Sequence, residues 1–137
     1  MDKYAWFIFA LITIVLWGFW GFFPKLATGY IDPKSALFWE AVGSVFVGGV
    51  MFFVLHFHPE TNFRGAFFAG ITGIFGLLGA LTFFFALSKG KASIIVTMTA
   101  LYPVFVILLS YFILHETITI KQVVGIFLAF VAMTLLA

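Results

Sequence analysis

The chain has no cysteine and very little charge. Without cysteine it can form no disulfide, no thiolate metal site and no cysteine nucleophile. Charged residues make up 9% of its 137 residues, whereas an average soluble domain carries about 25%. Because so little polar side chain is available to cover a water-soluble globule, the composition excludes that class of protein.

What the chain has instead is long apolar stretches. Hydrophobic residues make up 64% of the sequence, the mean hydropathy is +1.23, and the apolar stretches reach the ~20 residues that cross ~30 Å of hydrocarbon. Backbone amides in lipid must be satisfied within their own helix. We therefore predict an all-α fold, a polytopic five-helix transmembrane bundle forming a single domain. Its helices are expected at about residues 4–23, 35–57, 64–87, 92–114 and 119–137.

Local signals predict where several of these helices begin. Asp32 is expected to cap the second helix with Pro33 at its first position, and Asn62 to cap the third. Thr119 and Gln122 have the spacing of a capping box. The first apolar stretch is longer than the 7–15 residues of a signal-peptide core, so we expect it to be a retained helix.

The seven basic residues are scattered singly beside the apolar stretches. They form no basic stripe, so we expect a lipid bilayer and no nucleic acid as partner. Two interpretations of topology stay open: a few charges or a partner set one orientation, or copies insert both ways and pair antiparallel. The predicted helices place Lys3, Arg64 and Lys121 on the N-terminal side, and Lys25, Lys34, Lys89 and Lys91 on the other.

Glu40 is the one acidic residue inside a predicted span. It begins a helical stripe of small or weakly polar residues that includes Ser44, so it is expected to face a cavity or other helices rather than lipid. Trp17 and Trp20 approach the same membrane side, and an acid beside indole rings suits a cation or a proton. In the alternative interpretation, Glu40 reaches the interface or pairs with a lysine (Lys25 or Lys34), and Trp20 belongs to an interfacial aromatic belt.

Pro103 lies near the centre of the fourth predicted span. It has no amide proton to donate to the carbonyl of Thr99, so a kink is expected there. With Tyr102, these residues form either a hinge beside a cavity or a purely structural bend.

The third span has a glycine at every third position. Small residues let membrane helices approach closely, so this set predicts a helix-packing seam. The set comprises Gly70, Gly73, Gly76 and Gly79.

Catalytic and metal-binding motifs are not recognisable in the sequence. His56 and His58 are two residues apart with no convergent acid, which does not suit a metal site. No phosphate loop, nucleophile elbow or metalloprotease helix is present. We therefore predict no metal, no cofactor and no enzymatic activity.

A series of short motifs resembles one known family along essentially the whole chain. The resemblance is to a single EamA-type repeat of the drug/metabolite transporter superfamily. It implies a cavity lined by the first four helices, alternating access, and, for one repeat, a homodimer that could be antiparallel. The motifs are Leu16-Trp17-Gly18, Ile31-Asp32-Pro33, Ala36-Leu37-Phe38-Trp39, Phe85-Ala86-Leu87, Ala92-Ser93, Leu101-Tyr102-Pro103-Val104-Phe105, His115-Glu116 and Gly125.

Two residues depart from the pattern of that family. Members often carry a basic residue where Glu40 stands, and a glycine where His115 stands. The first departure favours a cationic or proton-coupled substrate over an anionic one. We expect a proton-coupled exporter of a small metabolite or amphiphilic cation in the cell membrane. The alternatives are a non-transporting membrane assembly subunit and a flippase of lipid-linked substrates.

Overall fold

The computed structural model describes residues 5–136, and these contain helices and no β-strand. Tyr4 and Ala137, the outer limits of the first and last predicted spans, lie outside the described residues. The chain divides after Lys89 into two compact units, which are described separately below. The helices are α1 (Ala5–Ala27), α2 (Pro33–Val54), α3 (Phe63–Lys89), α4 (Ala92–Thr99), α5 (Tyr102–Ile113) and α6 (Ile120–Leu136).

The apolar helices are long enough to cross a membrane. Four stretches qualify by length and composition, and the last counts α4 and α5 together. α6 has 17 residues, the lower limit for a span. The predicted all-helical, membrane-spanning fold class is therefore confirmed. The four stretches are Phe7–Ala27, Pro33–Val54, Phe63–Lys89 and Ala92–Ile113.

Capping side chains begin α2 and α3 where the sequence predicted them. Asp32 Oδ1 accepts the backbone amides of Lys34 at 3.0 Å and Ser35 at 3.1 Å, and Pro33 occupies the first helical position. Asn62 Oδ1 accepts the amide of Gly65 at 3.1 Å. Each cap satisfies amides that have no partner inside the helix.

A reciprocal capping box begins α6. The Thr119 amide donates to Gln122 Oε1 at 2.7 Å, and the Gln122 amide donates to Thr119 Oγ1 at 3.3 Å. This geometry confirms the prediction made from the spacing of the two residues.

α1 continues through Pro24, although the sequence placed its end at residue 23. Proline removes one helical hydrogen bond, the one that its amide would donate to the carbonyl of Trp20. The next turn still closes, because the Thr28 amide and hydroxyl both donate to the Pro24 carbonyl at 2.9 Å. The helix therefore reaches Ala27.

The fourth predicted span, residues 92–114, is interrupted between α4 and α5. The interruption lies at Ala100 and Leu101, just before Pro103. Here hydrogen bonds between residues three apart, as in a 3₁₀-helix, replace the four-apart bonds of the α-helix. The Leu101 amide donates to the Met98 carbonyl at 3.2 Å, and the Val104 amide donates to the Leu101 carbonyl at 2.9 Å. Proline lacks the donor that would continue the regular ladder. In this second unit α4 packs against α6.

Packing within the first unit is concentrated at one membrane side. α3 packs against both α1 and α2, and the buried residues come from the end of α1, the start of α2 and the last third of α3. Residues 42–70 are all exposed. The three helices therefore form a packed end on the side of the α1–α2 turn, and the residues toward the other side face outward. The buried residues are Gly21, Pro24, Ala36, Ala80, Phe83, Phe84 and Leu87.

Candidate functional site

Glu40 and Trp20 form a hydrogen bond between α2 and α1. The indole Nε1–H of Trp20 donates to Glu40 Oε1 at 2.9 Å. Glu40 lies seven residues after the start of α2 and Trp20 seven before the end of α1, so both lie ~10.5 Å from the same end at 1.5 Å per residue. The sequence placed these two residues on one membrane side, and the structure joins them directly.

Phe83 of α3 holds the Trp20 ring from one side. The two rings stack with centroids 5.5 Å apart and planes 8° from parallel. Phe83 is buried, whereas Trp20 is 45% exposed. The indole is therefore supported by an aromatic ring and oriented by a carboxylate. Phe83 was not predicted as part of the site, because nothing in the sequence distinguishes it from its neighbours Phe84 and Phe85.

An open groove begins at this pair and follows α2. Trp20, Glu40, Gly43, Ser44 and Val47 line it, and its volume is about 570 Å³. The Ser44 hydroxyl donates to the backbone carbonyl of Glu40 at 3.0 Å. A methyl group built on Gly43 would meet no described atom within 4 Å. Beyond the carboxyl, the groove is thus walled mainly by small and apolar groups.

The second oxygen of the Glu40 carboxyl has no partner. Oε2 is buried and accepts no hydrogen bond from any residue that the structure describes. Leaving a buried acceptor unpaired costs about 1–3 kcal/mol, more if it is charged. An incoming N–H donor would supply the missing bond, and a proton would neutralise the carboxylate.

Lys25, considered from the sequence as an ion-pair partner of Glu40, bonds elsewhere in the first unit. Its Nζ donates to the backbone carbonyl of Leu87 at 2.7 Å. Leu87 is fully buried and lies in the last turn of α3, where carbonyls lack helical donors and a cation is favoured. Lys25 therefore joins the ends of α1 and α3 at the packed end.

The remaining predicted site residues belong to α1, α4 and α5. Trp17 is one turn before Trp20, is 56% exposed, and is not among the residues that line the groove. Tyr102 and Pro103 begin α5 in the second unit. The Thr99 hydroxyl, at the end of α4, donates to the carbonyls of Ile95 and Val96 at 3.0 Å. Their roles as aromatic wall and hinge remain predictions.

The glycines predicted to form a packing seam lie exposed along α3. A methyl group built on any of them would meet no described atom within 4 Å beyond its own stretch of helix. The packing seam remains a prediction, and the glycine surface of α3 is exposed. These residues are Gly70, Gly73, Gly76 and Gly79.

Metal coordination finds no support in the part of the chain that is described. No cluster of three or more histidine, aspartate or glutamate side chains is present between residues 5 and 136. His58 Nδ1 instead lies 2.6 Å from the backbone carbonyl of His56. This contact lies within the segment that connects α2 and α3.

Helices of membrane-spanning length, two of them joined by a bond between an acid and an indole, indicate a polytopic membrane protein. The EamA-like transporter family model matches residues 4–137. The chain belongs to this family, as one EamA-type domain of the drug/metabolite transporter superfamily. It is a family of transporters rather than of enzymes.

An uncharacterized protein of Methanocaldococcus jannaschii is 31% identical to this chain over 133 residues. The alignment covers 95% of this chain and 94% of that protein, so the two have similar lengths. No solved structure matches the chain significantly.

Proposed function

We propose that this protein is a proton-coupled secondary transporter that exports a small amphiphilic cation across the cell membrane. Glu40 binds the proton or the cation, and Trp20 forms the aromatic wall of the site. The observation that carries the proposal is the buried, unpartnered Oε2 of Glu40 within a membrane span. An ionisable group in that position is costly unless it serves a ligand or a proton.

The surroundings of Glu40 support a cation that has an apolar part. The indole of Trp20 offers a π-face to a positive charge, while Gly43 and Val47 leave an apolar channel beside it. Positive charge at this site would have Glu40 as its counter-charge. An anion would meet the acid unfavourably.

We further propose that the transporter is a homodimer, with an antiparallel pair as its arrangement. The family resemblance implies that a single five-span repeat needs a second copy to complete the transport pathway. The relative from M. jannaschii has nearly the same length as this chain. The near-equal distribution of lysine and arginine on the two membrane sides supports the antiparallel form.

Flux in proteoliposomes tests the transport proposal. With an imposed proton gradient, wild type should move an amphiphilic amine, and Glu40→Gln should lower that flux on the order of tenfold or more, because a charge-assisted hydrogen bond is lost. Glu60→Gln is the matched control, since Glu60 is exposed in the α2–α3 turn and its loss should leave the flux unchanged. Equal flux from wild type and Glu40→Gln would contradict the assignment of Glu40. Folded protein that moves none of a broad panel of amines would favour an assembly subunit or a lipid flippase.

A further inference from the structure

The hydrogen bonding of Glu40 restricts which cation can bind, so the following inference rests on the function proposed above. Oε1 already accepts the indole proton of Trp20 at 2.9 Å. The indole is a donor only, and its stacking on Phe83 limits how far it can move. One carboxyl oxygen of Glu40 therefore already accepts a hydrogen bond from the protein itself.

The second carboxyl oxygen, Oε2, determines which hydrogen-bond donors the ligand must offer. Oε2 lacks a partner among the described residues and can accept one N–H. A guanidinium group binds a carboxylate best as a fork that uses both oxygens, and the bond from Trp20 to Oε1 competes with one arm of that fork. A quaternary ammonium has no N–H and would leave Oε2 unsatisfied.

The other residues of the groove favour a ligand that carries one positive charge on an apolar body. Glu40 is the one acid within the described helices, so a second ammonium group of a polyamine would find no carboxylate beside it in the spans. The hydroxyl proton of Ser44 is already donated to the backbone carbonyl of Glu40. Gly43 and Val47 offer space and apolar contact instead.

We propose that the groove selects a lipophilic monoamine, bound as its ammonium ion through one N–H donated to Glu40, and that Trp20 favours this choice by competing for the other carboxyl oxygen. Oε2 is shielded from water in this conformation. Binding therefore requires the side chains that cover Oε2 to move aside while the indole of Trp20 keeps its bond to Oε1. The free face of the Trp20 ring then lies beside the bound charge.

Three ligands with one hydrocarbon body test the selection: 3-phenylpropylamine, 3-phenylpropylguanidine and 3-phenylpropyltrimethylammonium. Each carries one positive charge, and they differ in the N–H groups that they offer. Calorimetric titration of detergent-purified wild type should show the amine binding roughly tenfold or more tightly than the trimethylammonium compound, and at least as tightly as the guanidine.

Trp20→Phe keeps a ring for Phe83 to stack on and removes the indole proton. In this variant both carboxyl oxygens are free, so the ratio of guanidine to amine affinity should rise by about tenfold. Trp39→Phe is the matched control, because Trp39 is 63% exposed and its ring contacts Phe38. It should leave the ratio at the wild-type value.

The outcomes separate this inference from the function on which it rests. Binding that is lost in Glu40→Gln but shows the same guanidine-to-amine ratio in wild type and Trp20→Phe would overturn the selection by Trp20 and keep the cation site. Trimethylammonium binding as tight as that of the amine in wild type would also overturn it, without any variant at Trp20. No Glu40-dependent binding of any of the three ligands would overturn both the site and the inference.

Discussion

At the residue scale, the structure gives the physical reason why histidine is unfavourable at position 115. His115 has φ of 56°, the left-handed region, where a side chain with a Cβ costs roughly 1–2 kcal/mol and glycine costs little. It lies just after the end of α5, and the amide of Glu116 donates back to the Ser110 carbonyl at 3.2 Å. The family's frequent glycine at this position suits the turn, although the sequence alone offered no reason for it.

We predict that His115→Gly stabilises the protein by about 0.5–1 kcal/mol. Relief of the left-handed strain exceeds the greater freedom that glycine gives the unfolded chain. Thermal unfolding in detergent should show the gain as a rise of a few degrees. His58→Gly is the control: His58 is not among the described non-glycine residues with positive φ, so it should show no such gain. Equal or lower stability of His115→Gly would contradict the strain argument.

Sequence reasoning located the acid of the candidate site but only part of its surroundings. Periodicity and depth placed Glu40 and Trp20 on the same membrane side, because these quantities follow from residue spacing alone. The rotation of α1 about its axis decides that Trp20 rather than Trp17 bonds the carboxyl, and it depends on packing against α3. Phe83 was missed for the same reason: only its contact with Trp20 separates it from the phenylalanines beside it.

At the scale of the helices, starts were predictable and ends were not. The caps at Asp32, Asn62 and Thr119 are local, so four residues of sequence are enough to identify each. The ends of α1 and α4 depend on whether a proline is tolerated. Pro24 lies in a last turn that closes without its amide, whereas Pro103 follows the interruption of a span. The sequence predicted a kink at Pro103, whereas it ended α1 before Pro24, four residues earlier than the structure does.

The cap of α2 predicts a pH dependence of stability. The hydroxyl of Ser35, together with the backbone amides of Ser35 and Lys34, holds the pKa of Asp32 below its ordinary value of 3.8. Because the pKa is lowered by folding, the stabilisation is fully present above about pH 3.8 and is lost as pH falls through the lower, folded value. The helix start should therefore weaken in acid.

Asp32→Asn isolates this effect, since asparagine also caps helices but does not titrate in this range. Thermal unfolding from pH 7 to pH 2 should show wild type the more stable above pH 4, with the difference shrinking in acid. The other acidic residues are the same in both proteins, so the comparison isolates position 32. A difference that stays constant down to pH 2 would show that ionisation of Asp32 contributes nothing.

At the scale of the whole molecule, charge distribution is the feature that bears on assembly. The predicted spans place three basic residues on the N-terminal side and four on the other. Lys25, one of the four, is half-buried and donates to the carbonyl of Leu87. The other three lysines assigned to that side are exposed: Lys34, Lys89 and Lys91. The two sides assigned by the predicted spans therefore carry almost equal positive charge, which gives insertion little directional bias.

Dual insertion predicts that reporters on both membrane sides react from outside the cell. The chain has no cysteine of its own, so single cysteines at Glu60 and Ser88 serve as reporters; both positions are exposed, and Glu60 avoids disturbing the cap at Asn62. In intact cells, a membrane-impermeant maleimide should label a substantial fraction of each variant. Labelling of one position alone, with the other reactive only after lysis, would show a single orientation and remove the antiparallel dimer.

Adding charge to one side should move this balance in a predictable direction. Glu60→Lys and Thr61→Lys, combined with the reporter at Ser88, add two basic residues to the N-terminal side, which should then be retained in the cytoplasm. Position 88 should face outward more often, and its labelling should rise. The neutral pair Glu60→Gln and Thr61→Gln alters the same turn without adding lysine and should shift labelling less. Unchanged labelling with the added lysines would mean that something other than flanking charge, such as a partner subunit, sets the orientation.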